Sequence, residues 1–303
     1  MPSNKDDSYE VAIVGGGPAG LAAAVYLGRF LRSAIVFDAG DARAKLIPKT
    51  HNCPGFPEGI SGMSLLKRLK RQATRYGSRI VAGRVEWLKQ DQGGFLLQTS
   101  LGPIGARCVI LATGIVDHAP AIPNIREAIA AGSIRLCPVC DAYEVQGRRV
   151  GVVGPEDAAL REANFLRHFT PHVSILCNFP ADFSSSGRAL AKREGLDVLD
   201  AVDDLLLRPD GFEIVMANGD PSRTVDVIYP CMGCDVRSEL AAAVGADCDE
   251  EGYIRIGDHL ETTIAGLYAI GDVASALNQI GVGFGHAALA ATHVHNELSQ
   301  NRS

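Results

Sequence analysis

The sequence predicts an α/β protein with two Rossmann-like three-layer dinucleotide-binding domains, the second inserted into the first. A complete G-x-G-x-x-G turn follows an apolar strand near the start of the chain, and a degraded copy recurs 139 residues later. From Gly252 onward the pattern changes again, to a short apolar strand and a closing helix. We therefore expect a discontinuous first domain, residues 1–117 plus 245–303, and a central domain, residues 118–244.

The first opening runs from an apolar strand, Val11–Val14, through three glycines into an apolar helix over residues 21–31. Gly15 permits the tight strand-to-helix turn, Gly17 lets the backbone approach a pyrophosphate, and Gly20 lets helix and strand pack closely. The helix N-terminus adds free N–H groups and a positive dipole. This opening predicts a dinucleotide site.

An acidic residue stands where a ribose would need one. The second strand, residues 34–37, ends at Asp38, about twenty residues past the glycines, where a carboxylate can accept hydrogen bonds from a ribose hydroxyl. A chance cluster of glycines is the other interpretation. The strand, the helix and the acid, all in place, favour the site.

The second opening aligns residue for residue with the first but lacks its ligand contacts. Gly15 corresponds to Gly154 and Gly20 to Ala159, whereas Gly17 corresponds to Glu156 and Asp38 to Cys177. A carboxylate at Glu156 would repel a pyrophosphate, and Asn178-Phe179-Pro180 offers no arginine for a 2′-phosphate. This copy predicts poor binding of NADH and NADPH. If Glu156 turns outward, weak nicotinamide binding stays possible.

The remaining elements follow from apolar periodicity and from glycine and proline breaks. A loop at 52–57 precedes a helix at 63–76, a Gly93-Gly94 hairpin precedes a buried strand at 109–114, and residues 118–120 form a linker. In the central part we expect strands near 149–153, 172–177 and 226–230 and helices near 157–168 and 187–194. A strand at 263–272 and a helix at 283–298 close the chain.

Composition narrows the classes of function. The chain has 303 residues, 47% of them hydrophobic and 21% charged, which is typical of well-packed globular domains. A net charge of −6 without a basic cluster argues against nucleic acid and against an anionic membrane surface as partners. No apolar run approaches a membrane span, and the polar start at residues 1–7 lacks the apolar core of a signal peptide. We expect a cytoplasmic protein.

Eight cysteines in a reducing compartment are not expected to form a structural disulfide framework. Cys108 and Cys177 lie in strand-like segments, where core packing explains them. Cys137-Pro138-Val139-Cys140 differs from these, because a C-x-x-C pair closes a small disulfide with little rearrangement and so stores two electrons. Asp141 follows directly, either as a general acid/base for thiol exchange or as a residue that stabilises the turn.

Two further features have a structural and a functional interpretation each. Cys231-Met232-Gly233-Cys234 is a second C-x-x-C, and two such pairs are one pattern of a structural zinc site. However, about ninety residues separate the two pairs here, whereas zinc ribbons have roughly fifteen to twenty between them. A strand end with Cys234 packed at the domain junction is favoured. His286, at a helix start, is expected to bond to backbone rather than to assist a cofactor.

The whole chain resembles the low-molecular-weight thioredoxin reductase family. The resemblance rests on five motifs in order: the glycine run, Asn52-Cys53-Pro54-Gly55, Ala112-Thr113-Gly114, the C-x-x-C-D segment, and Ala269-Ile270-Gly271-Asp272. It implies FAD in a discontinuous domain made of both chain ends and an NADPH-type central domain that carries the redox cysteines. It also implies a homodimer and a thioredoxin-like protein or a small disulfide as partner.

Carried over by position, the resemblance implies a set of site residues. Gly15, Gly17, Gly20 and Asp38 would hold the ADP half of FAD, with Thr113, Gly114 and Gly271 in the flanking motifs. Asn52, Asp272, Gln279 and Ile280 would lie along the ribityl chain and the isoalloxazine. Cys140 would face the flavin, Cys137 would attack the substrate disulfide, and Asp141 would shuttle the proton. Cys53 falls where relatives often place an aromatic residue, and packing explains it.

Departures from the family fall on the NADPH side. The loop Gly154-Pro155-Glu156-Asp157-Ala158-Ala159 replaces a Gly-Gly-Gly-Asp-Ser-Ala type loop, and Asn178 and Phe179 replace an arginine pair. The leading prediction is an FAD-dependent thiol–disulfide oxidoreductase that does not use NADPH in the normal way, with ferredoxin or another protein as donor. A conventional NADPH-dependent reductase, an oxygen-dependent dithiol oxidase and a non-enzymatic zinc or redox-sensing module stay open as alternatives.

Overall fold

The first sheet is built around a strand that is buried along most of its length. The structure, a computed structural model, describes residues 8–91, 93–177 and 182–300. β1 (Ser8–Val14) lies between β2 and β6 in a seven-stranded sheet of order β3-β2-β1-β6-β5-β4, with β16 beside β6. Its other strands are β2 (Ala34–Asp38), β3 (Arg79–Ala82), β4 (Val85–Asp91), β5 (Gly94–Thr99), β6 (Gly102–Leu111) and β16 (Leu267–Ala269). β3, β2, β1, β6 and β16 pair in parallel, so their carboxyl ends meet at one edge, whereas β5 is antiparallel to both β6 and β4.

Helices cover both faces of this sheet. α1 (Pro18–Arg29) packs between α2 (Gly62–Arg75) and the closing helix α8 (Ile280–Gln300), and alanines of α1 and α8 let the two backbones approach. On the opposite face α7 (Glu239–Ala243) packs against the β4–β5 hairpin through Ala241. In the described part of the chain, no helix is long and apolar enough to cross a membrane.

The second sheet is parallel and smaller, with order β10-β9-β8-β14. Its strands are β8 (Val150–Val153), β9 (Val173–Leu176), β10 (Asp197–Leu199) and β14 (Val227–Pro230). One face packs on α5 (Glu156–Leu166) and α6 (Ser185–Arg193). The other face packs on an antiparallel layer and on α3 (Ile125–Ala131). That layer comprises β11 (Val202–Arg208), β12 (Gly211–Met216) and β13 (Arg223–Val225).

The chain passes between the two sheets through one antiparallel pair. β7 (Ile115–Asp117) leads out of the first sheet and β15 (Cys234–Val236) leads back, with Cys234 opposite Asp117. This is the topology of one dinucleotide fold inserted into another, so the predicted fold class is confirmed. The predicted limits, 1–117 plus 245–303 and 118–244, stay a prediction, and α7 packs in the first core.

Element bounds differ from the sequence prediction where special residues act. α1 begins at Pro18, three residues before the predicted start, because proline at the first helical position has its φ preset. It ends before Leu31, which is 91% exposed and has a left-handed φ of 57°. The strand predicted at 263–272 is only Leu267–Ala269, because the residues before it form turns.

α2 is rich in basic residues, so the sequence prediction that the chain has no basic cluster is wrong for this helix. This helix carries five lysine or arginine side chains within fourteen residues: Lys67, Arg68, Lys70, Arg71 and Arg75. Lys70 pairs with Asp38, and the Arg68 guanidinium lies 5.4 Å from the centre of the Phe56 ring. The overall charge of −6 therefore hides a locally basic helix.

Candidate active site

A cavity of about 690 Å³ lies at the carboxyl edge of the first sheet and reaches across to the C-x-x-C segment. Its wall combines the glycine turn, the 50–52 loop, the end of β6, the start of α8 and the cysteines. Of the predicted site residues, the lining includes Gly15, Gly17, Asp38, Asn52, Thr113, Gly114, Cys137, Cys140, Asp141, Gly271, Asp272, Gln279 and Ile280. Residues more than 250 positions apart in the chain thus share one site.

The glycine turn has the geometry that a pyrophosphate cradle needs. Gly15 has a φ of +125°, and a Cβ there would come within 2.1 Å of the Ala112 carbonyl oxygen. A Cβ at Gly20, which does not line the cavity, would come within 2.1 Å of the Gly15 oxygen. A Cβ at Gly17 would meet no atom within 4 Å, and Gly17 caps the N-terminus of α1. The space in front of this helix end is open to an anion.

Asp38 is buried at the end of β2 and already holds two donors. Its Oδ1 accepts from the Gly40 N–H at 2.9 Å and its Oδ2 from Lys70 Nζ at 2.5 Å. A carboxylate has about four acceptor positions, so lone pairs remain for a ribose hydroxyl. The sequence prediction did not include Lys70, because nothing in the local pattern marks a helix residue 32 positions away as its partner.

An arginine that the sequence prediction missed lies beside Asp272. Arg43 makes a bidentate pair with Asp117, at 2.7 Å from Nε and 2.8 Å from Nη2, and its Nη1 is 3.8 Å from Asp272 Oδ2. Burial raises the pKa of the Asp272 carboxyl, and Arg43 acts against that rise. Because Arg43 begins a short 3₁₀ helix, Arg43–Leu46, that carries no motif, no sequence signal pointed to it.

The C-x-x-C cysteines form a disulfide that is hydrogen-bonded from the first domain. Cys137 and Cys140, on either side of the start of α4 (Pro138–Asp141), are joined with Cα atoms 5.3 Å apart. Gln279 Nε2 lies 3.3 Å from both sulfurs. Gln279 Oε1 accepts from Asn52 Nδ2 at 2.9 Å, and Asn52 Oδ1 accepts from Thr50 Oγ1 at 2.7 Å. This chain of donors fixes which end of the Gln279 amide faces the sulfurs.

A second contact joins the same loop to the residues after the cysteines. His51 Nδ1 lies 2.8 Å from Glu144 Oε1, while the other carboxylate oxygen of Glu144 is buried without a partner. The 50–52 loop is therefore linked to the surroundings of the cysteines at two points: His51 contacts Glu144, which follows the C-x-x-C segment, and Asn52 contacts Gln279, which donates to the sulfurs. In this arrangement of the two sheets the disulfide is held against the cavity.

Asp141 points into the central domain. Its Oδ1 accepts from the Tyr229 hydroxyl at 2.7 Å, and its Oδ2 is 3.5 Å from Arg135 Nη1. Burial raises the pKa of Asp141, although the Tyr229 hydrogen bond and the Arg135 charge act to lower it. A carboxyl with a raised pKa is better matched to proton transfer near neutral pH than an ordinary aspartate.

The other singled-out cysteines and His286 have local packing contacts. Cys231 Sγ lies 3.4 Å from the Val153 carbonyl oxygen, and burial raises the pKa of this thiol to about 12. Cys234 Sγ is 3.7 Å from the Tyr253 hydroxyl at the junction of the sheets. Cys53 is buried in a small apolar cluster. His286 Nδ1 accepts from the Gly271 N–H at 3.2 Å, and burial lowers its pKa, so it is a neutral acceptor for backbone.

The second glycine turn contains a carboxylate that belongs to the chain itself, the side chain of Glu156. Glu156, the first residue of α5, accepts from Ser184 at the start of α6: its Oε2 from the backbone N–H at 2.5 Å and its Oε1 from the hydroxyl at 2.9 Å. The carboxylate thus bridges the loops after β8 and β9, between which a Rossmann fold binds its nucleotide. It does not turn outward. The predicted Asn178 and Phe179 positions lie outside the described residues.

Glu162 on α5 carries a separate pH-dependent stability effect. Burial raises its pKa from 4.5 to about 7, with Arg161 opposing and Asp141 adding to the rise. A raised carboxyl pKa makes the folded state bind the proton more tightly, so its stabilising effect is full below pH 4.5 and is lost as the pH rises to 7. We expect Glu162→Gln to stabilise the protein by about 1 kcal/mol more at pH 8 than at pH 4.5, after allowance for solvent screening.

Thermal unfolding of Glu162→Gln and wild type at the two pH values measures this difference. Glu250→Gln, at an exposed position, is the matched control and should change stability equally at both. A Glu162→Gln stability change that is the same at pH 4.5 and pH 8 would contradict the assignment.

Together, the cradle, the cavity and the adjoining disulfide define a flavin-dependent disulfide oxidoreductase. The chain belongs to the pyridine nucleotide-disulphide oxidoreductase family, whose model matches residues 9–293. It is 29% identical over 304 residues to the thioredoxin reductase of Treponema pallidum, covering 94% of this chain and 96% of that protein. These matches confirm the predicted resemblance and the predicted enzyme class.

Two further comparisons extend the likeness. The chain is 28% identical over 285 residues to the bifunctional thioredoxin reductase/thioredoxin of Mycobacterium leprae, covering 90% of this chain but spanning only 62% of that protein. The crystal structure of thioredoxin reductase from Streptococcus pyogenes MGAS5005 superposes with a TM-score of 0.87 at 24% identity, over 98% of this chain and 100% of that one. At this identity the superposition supports the fold alone.

Proposed function

We propose that the protein is an FAD-dependent thiol–disulfide oxidoreductase in which electrons pass between the flavin and the Cys137–Cys140 pair, with a donor other than NADPH. One observation carries the proposal: the disulfide forms part of the wall of the cavity at the glycine cradle and accepts hydrogen bonds from Gln279 there. A thioredoxin-like protein or a small disulfide is the proposed acceptor, as the names of the relatives suggest. The homodimer and the cytoplasmic location stay predictions.

The residues at the cavity fit FAD in a definite order. The open space at Gly17 in front of α1 suits the pyrophosphate, Asp38 suits the adenosine ribose, and Asp272 suits hydroxyls of the ribityl chain. Ile280 begins α8 and Gln279 directly precedes it, at the end of the helix nearest the disulfide, where the isoalloxazine would lie. Bound FAD, once reduced by its donor, would supply two electrons to the Cys137–Cys140 disulfide and so generate the dithiol.

The protein's own groups account for the exchange with substrate. The Cys137 thiolate attacks the substrate disulfide, and the departing sulfur takes a proton. Cys140 then attacks Cys137, which releases the second thiol and restores the Cys137–Cys140 disulfide. Two electrons and two protons enter the substrate. Gln279 Nε2 donates toward negative charge on either sulfur, and Asp141 exchanges the proton.

The proposal for the donor rests on Glu156. Its carboxylate already takes the N–H and hydroxyl donors of Ser184 at the start of α6, and it places negative charge in the nucleotide cleft. A nicotinamide dinucleotide would have to displace this bridge and bring its own phosphates close to the charge. Reduced ferredoxin or another protein could reduce the flavin without using this cleft.

Anaerobic titration of the flavin spectrum tests the donor. We expect NADPH and NADH to bleach the flavin slowly or not at all, and reduced ferredoxin to bleach it rapidly. Rapid bleaching by NADPH would establish the conventional reductase instead. Oxygen consumption and peroxide formation with a small dithiol and no added donor would establish the dithiol oxidase. A colourless preparation with stoichiometric zinc would contradict the proposed class.

A further inference from the structure

A buried tyrosine of the central sheet has its hydroxyl on the residue that follows the redox cysteines. Tyr229 on β14 is completely buried, and its ring packs in the apolar core formed with α5. Its hydroxyl donates to Asp141 Oδ1 at 2.7 Å, and that carboxylate is 88 positions earlier in the chain. A buried hydroxyl costs free energy unless it is hydrogen-bonded, so a phenylalanine would suit this core better if packing were the sole requirement.

Arg135 completes the surroundings of the carboxylate from a second direction. Its Nη1 donates to the Asp141 backbone oxygen at 3.1 Å and lies 3.5 Å from Oδ2. Its own backbone N–H donates to the Ile228 carbonyl oxygen, next to Tyr229. The strand that carries Tyr229 and the segment that carries Arg135 are therefore tied together, and both hold Asp141.

The charged groups around Asp141 act in opposite directions. Burial and the Glu144 carboxylate raise its pKa, whereas the Tyr229 hydrogen bond and Arg135 lower it. Glu162, from α5, also faces this carboxylate: burial and the charge of Asp141 raise the pKa of Glu162 to about 7, with Arg161 opposing. Burial raises the pKa of Tyr229 far above its usual value, so the phenol stays a neutral donor.

We propose that Tyr229 is a positioning residue for the thiol–disulfide exchange: its hydrogen bond to Oδ1 holds the carboxylate of Asp141 in place for proton exchange with the dithiol. This inference rests on the proposed role of Asp141. In the exchange, Asp141 takes the proton of the attacking thiol as the sulfur–sulfur bond forms, and returns it to the sulfur that leaves. The carboxylate ends as it began, so protons balance.

Removal of the Tyr229 hydroxyl should raise the pKa of Asp141. Tyr229→Phe removes a donor that favours the carboxylate, so the pKa of Asp141 rises, by about one unit for a hydrogen bond to a charged group. Every limb of the pH profile that Asp141 governs should then move to higher pH. Arg135→Gln removes a positive charge and should move it in the same direction.

The test uses the FAD-loaded enzyme reduced with stoichiometric dithionite and mixed with 5,5′-dithiobis(2-nitrobenzoate). The acid limb of the single-turnover rate should shift upward by about one pH unit in Tyr229→Phe. A ¹³C carboxyl NMR titration, with the Asp141 signal assigned by its loss in Asp141→Asn, should show the same shift. Tyr268→Phe is the matched control, since Tyr268 is a buried tyrosine of the first sheet, and it should shift neither.

The outcomes separate this inference from the proposed function. If Asp141→Asn keeps the wild-type rate and pH profile, the acid/base role fails and the inference fails with it. If Asp141→Asn slows the exchange but Tyr229→Phe leaves both the limb and the NMR pKa unmoved, only the positioning role of Tyr229 is overturned. Arg135→Gln checks that the assay detects a change at Asp141. If Arg135→Gln moves the limb and Tyr229→Phe does not, the hydroxyl of Tyr229 has no effect on the pKa of Asp141.

Discussion

Cys140→Ser is expected to abolish turnover of disulfide substrates, by at least about a thousandfold, while the purified protein keeps its FAD. Cys140 is the second sulfur of the only disulfide among the described residues, so its loss removes the two-electron store itself. Serine nearly preserves the volume of the side chain, and the glycine cradle for the cofactor lies in the other domain. The measurements are the steady-state rate with a disulfide substrate and the flavin absorbance per protein.

A matched variant separates loss of chemistry from general damage. Cys248 is a free, partly buried cysteine that packs beside the core of the first sheet and makes a weak contact to the Ala246 carbonyl oxygen. Cys248→Ser should keep both the rate and the flavin. A Cys140→Ser protein that retains more than a few per cent of the wild-type rate would remove the pair from the proposed electron path, because serine cannot store electrons.

The cofactor cavity could be foreseen from sequence because parallel strands bring their carboxyl ends to one edge. Gly15, Asp38, Thr113 and Asp272 each end a strand or lie just beyond one, so their proximity needs nothing but the strand order. The glycine turn adds a local pattern whose geometry is nearly invariant. The conformational requirements at Gly15 and Gly20 are accordingly those that the motif predicts.

The contacts that tune the site could not be foreseen because they depend on distant segments meeting. Arg43 reaches Asp117 across 74 positions, and Tyr229 reaches Asp141 across 88. A lone arginine in a short 3₁₀ helix and a tyrosine in an apolar strand look the same in sequence whether or not they meet a carboxylate. The substitution of Glu156 for glycine was visible in sequence, but its partner Ser184 belongs to the next helix and emerges only from the fold.

Gly17→Glu is expected to yield a folded but colourless protein, because it gives the first cradle the residue that the second has at Glu156. A Cβ at Gly17 would meet no protein atom within 4 Å, so we expect the variant to fold with its side chain directed into the open cavity. Acidic residues at a helix N-terminus are themselves favourable, so the flavin-free form should not be destabilised. The carboxylate would instead occupy the space in front of α1 and repel a pyrophosphate, with a loss of FAD affinity of at least about a hundredfold, or about 3 kcal/mol.

Flavin content after purification and FAD binding by fluorescence quenching measure the effect. Gly285→Glu adds the same charge at an exposed position of α8 that also has open space and does not line the cavity, so it should stay yellow. Gly17→Ala adds volume without charge, so its FAD affinity should lie between those of Gly17→Glu and Gly285→Glu. If Gly17→Glu binds stoichiometric FAD as tightly as Gly285→Glu does, a carboxylate at this point of the fold does not exclude a dinucleotide. Glu156 would then give no reason to expect poor NADPH binding either, since Gly17 and Glu156 align in the duplicated turn.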